Sequence, residues 1–350
     1  MKYAYNDVEI HPSVEIYHDA IVHLGGITMS EFFKDKVKCA QAWRIGLKRI
    51  YEYFGDMLPL RAVSGPPISY GHIICLGSPV TYPENAEPNV KPMFSNIDEG
   101  IALLEAKKDI DYGAQPLFKH YYELCNYLNE QFPDQNVRFS GMGAQGPLTS
   151  AILMRGQDFI YDVYDEPEKA KRFLSLLTDS IVGFHHFTNK VNGMLEVNLR
   201  SAGLADDFAS LISPDMWSEF VVPYWNQYFE GLTTGTRSVH CENLAPAHLK
   251  YLKDVRLSHY QPSVSNLLTI ENVKANTDIP FDWLLYSYNI TEMSDTEIEQ
   301  WVDKTVEAGI ILVRTQFGQY ACETNKLDRV KAFYKAFDKY KMEPGSNAEL

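Results

Sequence analysis

The stretch TRSVHCENL, Thr236 to Leu244, sets a histidine, a cysteine and a glutamate side by side. Side chains alternate along an extended chain, so Ser238, His240 and Glu242 share one face while Val239 and Cys241 take the other. An imidazole nitrogen and a carboxylate oxygen both suit zinc, and a third protein ligand with one open position would make the ion catalytic. A second stretch, FGQYACETNKLDRVKAF, Phe317 to Phe333, puts Cys322 in a loop after a predicted strand. A thiol there can reach a metal shared with His240, whose charge would favour the thiolate. The expected ligands are His240, Glu242 and Cys322, with Cys241 competing if the strand ends early and Glu219 a further oxygen donor. The blander reading is that a lone histidine is a hydrogen-bonded structural residue and a free cysteine a small buried hydrophobe.

Two further stretches carry polar chemistry. In SAGLADDFASLISPDMW, Ser201 to Trp217, the pair Asp206 and Asp207 follows a predicted strand and could divide acid and base labour or orient a polar substrate; the alternative is a helix cap beside a solvated acid. In FSGMGAQGPLTSAILMRG, Phe139 to Gly156, glycines 141, 143 and 146 leave backbone amides open at a helix start. Gly143 and Gln145 are the candidate substrate contacts there. The spacing is neither a dinucleotide fingerprint nor a phosphate loop. Tyr286, Tyr288 and Asn289 in LLYSYNI, at the end of another predicted strand, could shape the same pocket or pack beneath it.

These stretches need a scaffold that brings strand ends together. Strand-like segments are predicted at Met57 to Val63, Gly71 to Gly77, Val137 to Met142, Leu195 to Ser201, Ser238 to Cys241, Arg256 to Tyr260, Phe281 to Tyr286 and Gly309 to Thr315. Helices are predicted at Asp35 to Phe54, Asn96 to Lys107, Gln115 to Gln131, Glu166 to Asn192, Pro214 to Gly231 and Asp295 to Ala308, with Ser213 as the N-cap before Pro214. Such alternation argues for α/β, a parallel sheet linked by helices. Its simplest form at this length is one (β/α)8 TIM barrel over 1–350 with an N-terminal extension over 1–40. Pro79 to Pro92, rich in proline, reads as an irregular excursion of the lid or rim kind, and Pro344 to Leu350 as a frayed tail.

Composition narrows the function classes. With 46 acidic against 32 basic residues, the net charge of −14 repels phosphate backbones and anionic membrane surfaces, so nucleic acid is a poor partner. No apolar run reaches the length of a membrane span, and no secretory signal is readable, so a cytoplasmic protein is expected. Five widely spaced cysteines without a C-x-x-C pair point to reduced thiols.

The order GPLT, acid pair, SP followed by EF and P, strand histidine and late ACE, spread over roughly residues 45 to 340, resembles the uroporphyrinogen decarboxylase superfamily. The resemblance implies a (β/α)8 barrel with its site at the C-terminal ends of the strands. True decarboxylases of that superfamily carry an arginine-rich N-terminal stretch that grips the substrate's carboxylates, whereas the first forty residues here hold no arginine. The chain is more similar to the corrinoid-dependent methyltransferases, which hold zinc with a His-x-Cys strand motif and a late cysteine. Here Glu242 stands where the middle cysteine would be. The resemblance implies a zinc-dependent transfer of a methyl group between a small donor or thiol acceptor and a separate corrinoid-binding protein. The alternatives are a decarboxylase of the same fold and a barrel without catalysis.

Overall fold

A computed structural model describes residues 2–342; Met1 and 343–350, including the expected frayed tail, lie outside the described residues. The strands are β1 (Tyr3–Tyr5), β2 (Val8–Ile16), β3 (Val80–Thr81), β4 (Asn89–Val90), β5 (Ser201–Ala205), β6 (Thr236–His240), β7 (His259–Gln261), β8 (Trp283–Leu285) and β9 (Leu312–Phe317). One sheet has the order β1-β2-β9-β8, antiparallel only between β1 and β2; a second has β5-β6-β7, all parallel; β3 and β4 form a small hairpin. Isolated parallel bridges join Ile68 to Met142, Asn198 to Thr233 and Tyr260 to Phe281, the last linking the second sheet to the approach to β8. The chain is thus an α/β protein whose principal strands run parallel, with helices between them.

The register decides what each strand offers. Gly203, Ser238 and His259 stand level across β5, β6 and β7, and two residues further on Ala205, His240 and Gln261 form the next level. The intervening Leu204, Val239 and Tyr260 point the opposite way and are buried with Trp217, Trp225 and Phe229 under the helices. Removing an apolar side chain of this size from water contributes roughly 1.5–3 kcal/mol. The alternation therefore fixes which face can carry polar chemistry.

Several predicted elements are corrected. Gly71 to Gly77 is a helix, Gly71–Cys75, which buries Ile73 and Cys75. A Cβ on Gly71 would meet Met142 Cγ at 2.7 Å, so the small residue there serves close packing. Met57 to Val63 joins no ladder, and Val137 to Met142 contributes only the Met142 bridge. The strand expected from Leu195 to Ser201 begins at Ser201 and runs on to Ala205. The single helix expected from Pro214 to Gly231 breaks into Pro214–Met216, Trp217–Phe220 and Val222–Leu232, and Ser213 makes no side-chain cap. Pro223 explains the break, since its ring clashes with the carbonyl four residues earlier in a continuous helix.

The first forty residues supply β2, which changes partner along its length. Residues 8–10 pair with β1, and 11–16 pair with β9. Pro12 falls where only the β9 side is paired, an edge position at which a residue without N–H is tolerated in a sheet. The Pro79 to Pro92 excursion folds back as the β3–β4 hairpin, and His18 Nε2 lies 3.2 Å from its Glu87.

Candidate functional site

His240 ends β6, and its ring is gripped from one side. Gln261, level with it on β7, brings its amide oxygen to 2.5 Å from His240 Nδ1. The other end of that amide donates to Asp282 Oδ2 at 3.1 Å, and Arg314 Nη1 donates to the same oxygen at 2.6 Å. Arg314 also reaches Glu15 on β2 at 3.2 Å. A polar chain, Glu15–Arg314–Asp282–Gln261–His240, thereby crosses from one sheet to the other. Asp282 within it is only 1% exposed, and a buried carboxylate is tolerable because it is paired and hydrogen-bonded.

The free edge of the ring faces two carboxylates. Asp207 Oδ1 lies 3.4 Å and Glu242 Oε1 3.9 Å from His240 Nε2. Asp207 Oδ1 also accepts the backbone N–H of Glu242 at 3.0 Å, and Glu242 Oε1 accepts the Ser263 hydroxyl at 2.7 Å, so both acids are held in place. Beneath the ring is a cavity of about 390 Å³, whose lining includes Ala144, Gly203, Ser238, His240, His259 and Gln261. The first three leave it open because their side chains are small. His185 also borders it, and burial pushes its imidazole down to about 4, so this ring is neutral at pH 7. The arrangement can move a proton at His240 Nε2 and stabilise the imidazolium with Asp207 and Glu242.

Of the acid pair, only Asp207 reaches this cluster. Asp206 is fully buried and turned the other way, accepting the N–H groups of Leu148 at 3.2 Å and Thr149 at 2.7 Å and the Trp225 indole at 2.7 Å. It caps the Pro147–Arg155 helix from outside. The N-cap position there is Gly146, which has no side chain to do so. Burial pushes the Asp206 carboxyl up to about 6 despite these donors. The expected catalytic pair is thereby divided, with one acid a buried anchor and the other facing the histidine.

The remaining candidates scatter. Cys322 lies in the Gln319–Glu323 helix directly after β9; its surroundings include Asp19 and Glu323, and burial pushes its thiol up to about 12. Cys241 is buried, its thiol 3.1 Å from the Asp206 carbonyl, and Glu219 pairs with Lys171 at 2.8 Å on the outer helices. Gly143 is spent on backbone bonds to Ile68 and His72, while Gln145 has a buried side-chain oxygen without a protein partner. Tyr286, Tyr288 and Asn289 are exposed after β8, and Tyr288 packs against Tyr320 with ring centres 5.7 Å apart.

His240 Nε2, Asp207 and Glu242 offer nitrogen and oxygen donors, but Cys322 stands in a separate environment, against Asp19. Among the described residues no three His, Cys, Asp or Glu side chains are grouped to hold a metal ion. As placed, His240, Glu242 and Cys322 do not fit a complete zinc site.

Gln261, Asp282, Arg314, Glu15 and Ser263 escaped the sequence reading. One signal was available in SHYQ, whose polar–apolar–polar alternation matches that of SVHCE and puts Gln261 on the histidine's face. The remaining contacts join residues far apart in sequence, such as Arg314 and Glu15, 299 positions apart.

The chain belongs to the uroporphyrinogen decarboxylase (URO-D) family, whose profile matches residues 72–275, more than half of it. The matched region contains Asp207, His240, Glu242 and Gln261, whereas Asp282, Arg314 and Cys322 fall beyond it. Among solved structures, the fold is similar to that of a methyltransferase from Methanosarcina mazei, with a TM-score of 0.68 over 96% of this chain and 95% of that one at 16% identity. No curated protein matches the sequence. Among the described residues no helix is long and apolar enough to cross a membrane.

Proposed function

We propose that the chain is a methyltransferase of the URO-D family, moving a methyl group between a small donor or thiol acceptor and a corrinoid carried by a separate protein. The observation that carries this reading is the presentation of His240 Nε2 to Asp207 and Glu242 above an open cavity. The likeness in fold to the Methanosarcina mazei methyltransferase supports it. We also read the parallel pairings as arcs of one (β/α)8 barrel: β2, the Ile68 and Met142 stretches and β5 to β9 make eight parallel positions. The strand ends that carry His240 and Gln261 would then open at the C-terminal rim, where barrel enzymes build their sites.

When a methyl group leaves oxygen or sulfur, the departing atom keeps the bonding electron pair and needs a proton. His240, in its protonated form, donates that proton from Nε2, and Gln261 still holds the Nδ1–H of the neutral ring that remains. In the reverse sense, Nε2 takes the proton of a thiol acceptor as its sulfur attacks the methyl carbon. Asp207 and Glu242 lie beside the positive charge that the ring gains when Nε2 takes the proton. The corrinoid, when its protein docks, supplies the centre that accepts or gives up the methyl group.

Zinc on His240, Glu242 and Cys322 is a separate proposal, read from the metal content of the purified chain. A zinc content near one per chain that falls in the His240→Ala and Cys322→Ala variants supports that assignment; full retention in both refutes it. For the reaction itself, the purified chain is mixed with a corrinoid-binding protein and a panel of small methyl donors and thiols, and the corrinoid absorbance is followed. Donor-dependent spectral change is expected. A silent panel, with conversion of a porphyrinogen carboxylate in its place, would give the site to the decarboxylase reading.

A further inference from the structure

We infer that Gln261, Asp282 and Arg314 are positioning residues that keep a hydrogen on His240 Nδ1, so that Nε2, the nitrogen facing Asp207 and Glu242, is the one that gains and loses a proton. Arg314 has only donors, and it is clamped between Asp282 at 2.6 Å and Glu15 at 3.2 Å. Asp282 Oδ2, beside that guanidinium, can only accept, so the Gln261 amide must turn its NH2 end toward it. The opposite orientation would set two acceptor oxygens against each other in a place almost without solvent. The amide oxygen is therefore the end that meets His240 Nδ1, and an oxygen without a proton needs a donor. Nδ1 must carry the hydrogen.

The backbone makes this alignment stiff. Gln261 and His240 are paired in register on adjacent parallel strands, so their side chains leave the sheet side by side. Asp282 directly follows Phe281, whose bridge to Tyr260 ties it to the residue before Gln261. None of this depends on the substrate. A ring fixed in this way presents one basic nitrogen in one direction, as a residue that shuttles a proton or lends a lone pair must.

The test reads the ring directly and needs neither substrate nor corrinoid, so its failure is distinguishable from failure of the methyltransferase reading. Protein labelled with 15N-histidine is dialysed against a chelator, so that no metal fixes the ring. Long-range proton–nitrogen NMR spectra are then recorded through an alkaline pH series until the ring signals stop moving, with His240→Gln assigning the signals. The wild type is expected to show a protonated Nδ1 and a bare Nε2. Gln261→Met, which keeps the side-chain volume and removes the acceptor, is expected to reverse the major tautomer while the remaining histidine signals stay in place. A wild-type ring with its proton on Nε2 overturns the inference, even if the Met variant fails to fold. So does a Met variant that folds and keeps Nδ1–H as the major form.

Discussion

The carboxylate of Asp206 receives the indole N–H of Trp225 at 2.7 Å, in a fully buried position. The same carboxylate accepts Leu148 and Thr149, so a single acid ties the end of β5, the start of one helix and the middle of another. Removing it strands three buried donors, each costing on the order of 1–3 kcal/mol. Asp206→Ala is expected to lose at least ~3 kcal/mol in a urea unfolding experiment. A loss under about 1 kcal/mol would mean that the anchor is dispensable.

Gly146 reports on the same anchor from the other side. A Cβ placed there would lie 2.5 Å from both Cβ and Cγ of Asp206, and neither atom can withdraw without breaking the three bonds. Gly146→Ala should therefore cost about 1–3 kcal/mol, as overpacking does, and alanine is also a poorer N-cap residue than glycine. A neutral or stabilising effect, read from the same denaturation curve, would show that Asp206 has room to move.

Acidification sets two opposed contributions against each other. Asp206 is raised to about 6, above its unfolded value, so its folded form binds the extra proton between about 4 and 6, and this group alone favours folding as pH falls. His72 and His185 are lowered to about 3 and about 4, chiefly by burial, so the unfolded chain takes up their protons first and stability falls as pH drops below 6.5. Two histidines outweigh one acid. The net expectation is a protein less stable at pH 4.5 than at pH 7, with His72→Phe shrinking the difference in urea midpoint. Equal midpoints at the two pH values in the wild type would contradict this balance.

How far the sequence reading reached follows from the range of each contact. His240 and Glu242 were legible as one face because strand alternation is a local rule, and Asp207 was in view because it follows a strand end. Local rules could not decide which of two adjacent acids turns inward. That choice falls to Trp225 and the bare N-cap at Gly146, both distant in sequence. The α/β alternation was legible, whereas β2 was hidden by Pro12 and by a strand that changes partner midway. Gln261, Asp282 and Arg314 acquire meaning only when two sheets are brought together, and no spacing encodes that.

Cys322 offers a chemical check on its surroundings. Burial pushes its thiol up to about 12, with Asp19 and Glu323 adding to the rise. In metal-free folded protein at pH 8 it should carry almost no thiolate, and iodoacetamide should label it far more slowly than in urea-unfolded chain. Peptide mass spectrometry after timed quenching reads the site directly. Labelling as fast as in the unfolded chain would mean that the thiol is exposed to a positive centre or to open solvent.

The strongest functional expectation concerns the free edge of the histidine. Because Nε2 gives and takes the proton in the proposed reaction, His240→Ala should lower kcat for methyl transfer by roughly 10²–10⁴-fold, the usual worth of a general acid or base. Asp207→Asn should act more mildly, because the amide still offers an oxygen to the Glu242 N–H that Asp207 now accepts at 3.0 Å, and removes only the charge facing the ring. The two losses should also fail to add: once the imidazole is gone, the Asp207 charge has no imidazolium to stabilise, so the double variant should fall no further than His240→Ala alone. Full additivity in the measured kcat values would mean that Asp207 acts on the substrate independently of His240, and would separate the two residues into different roles.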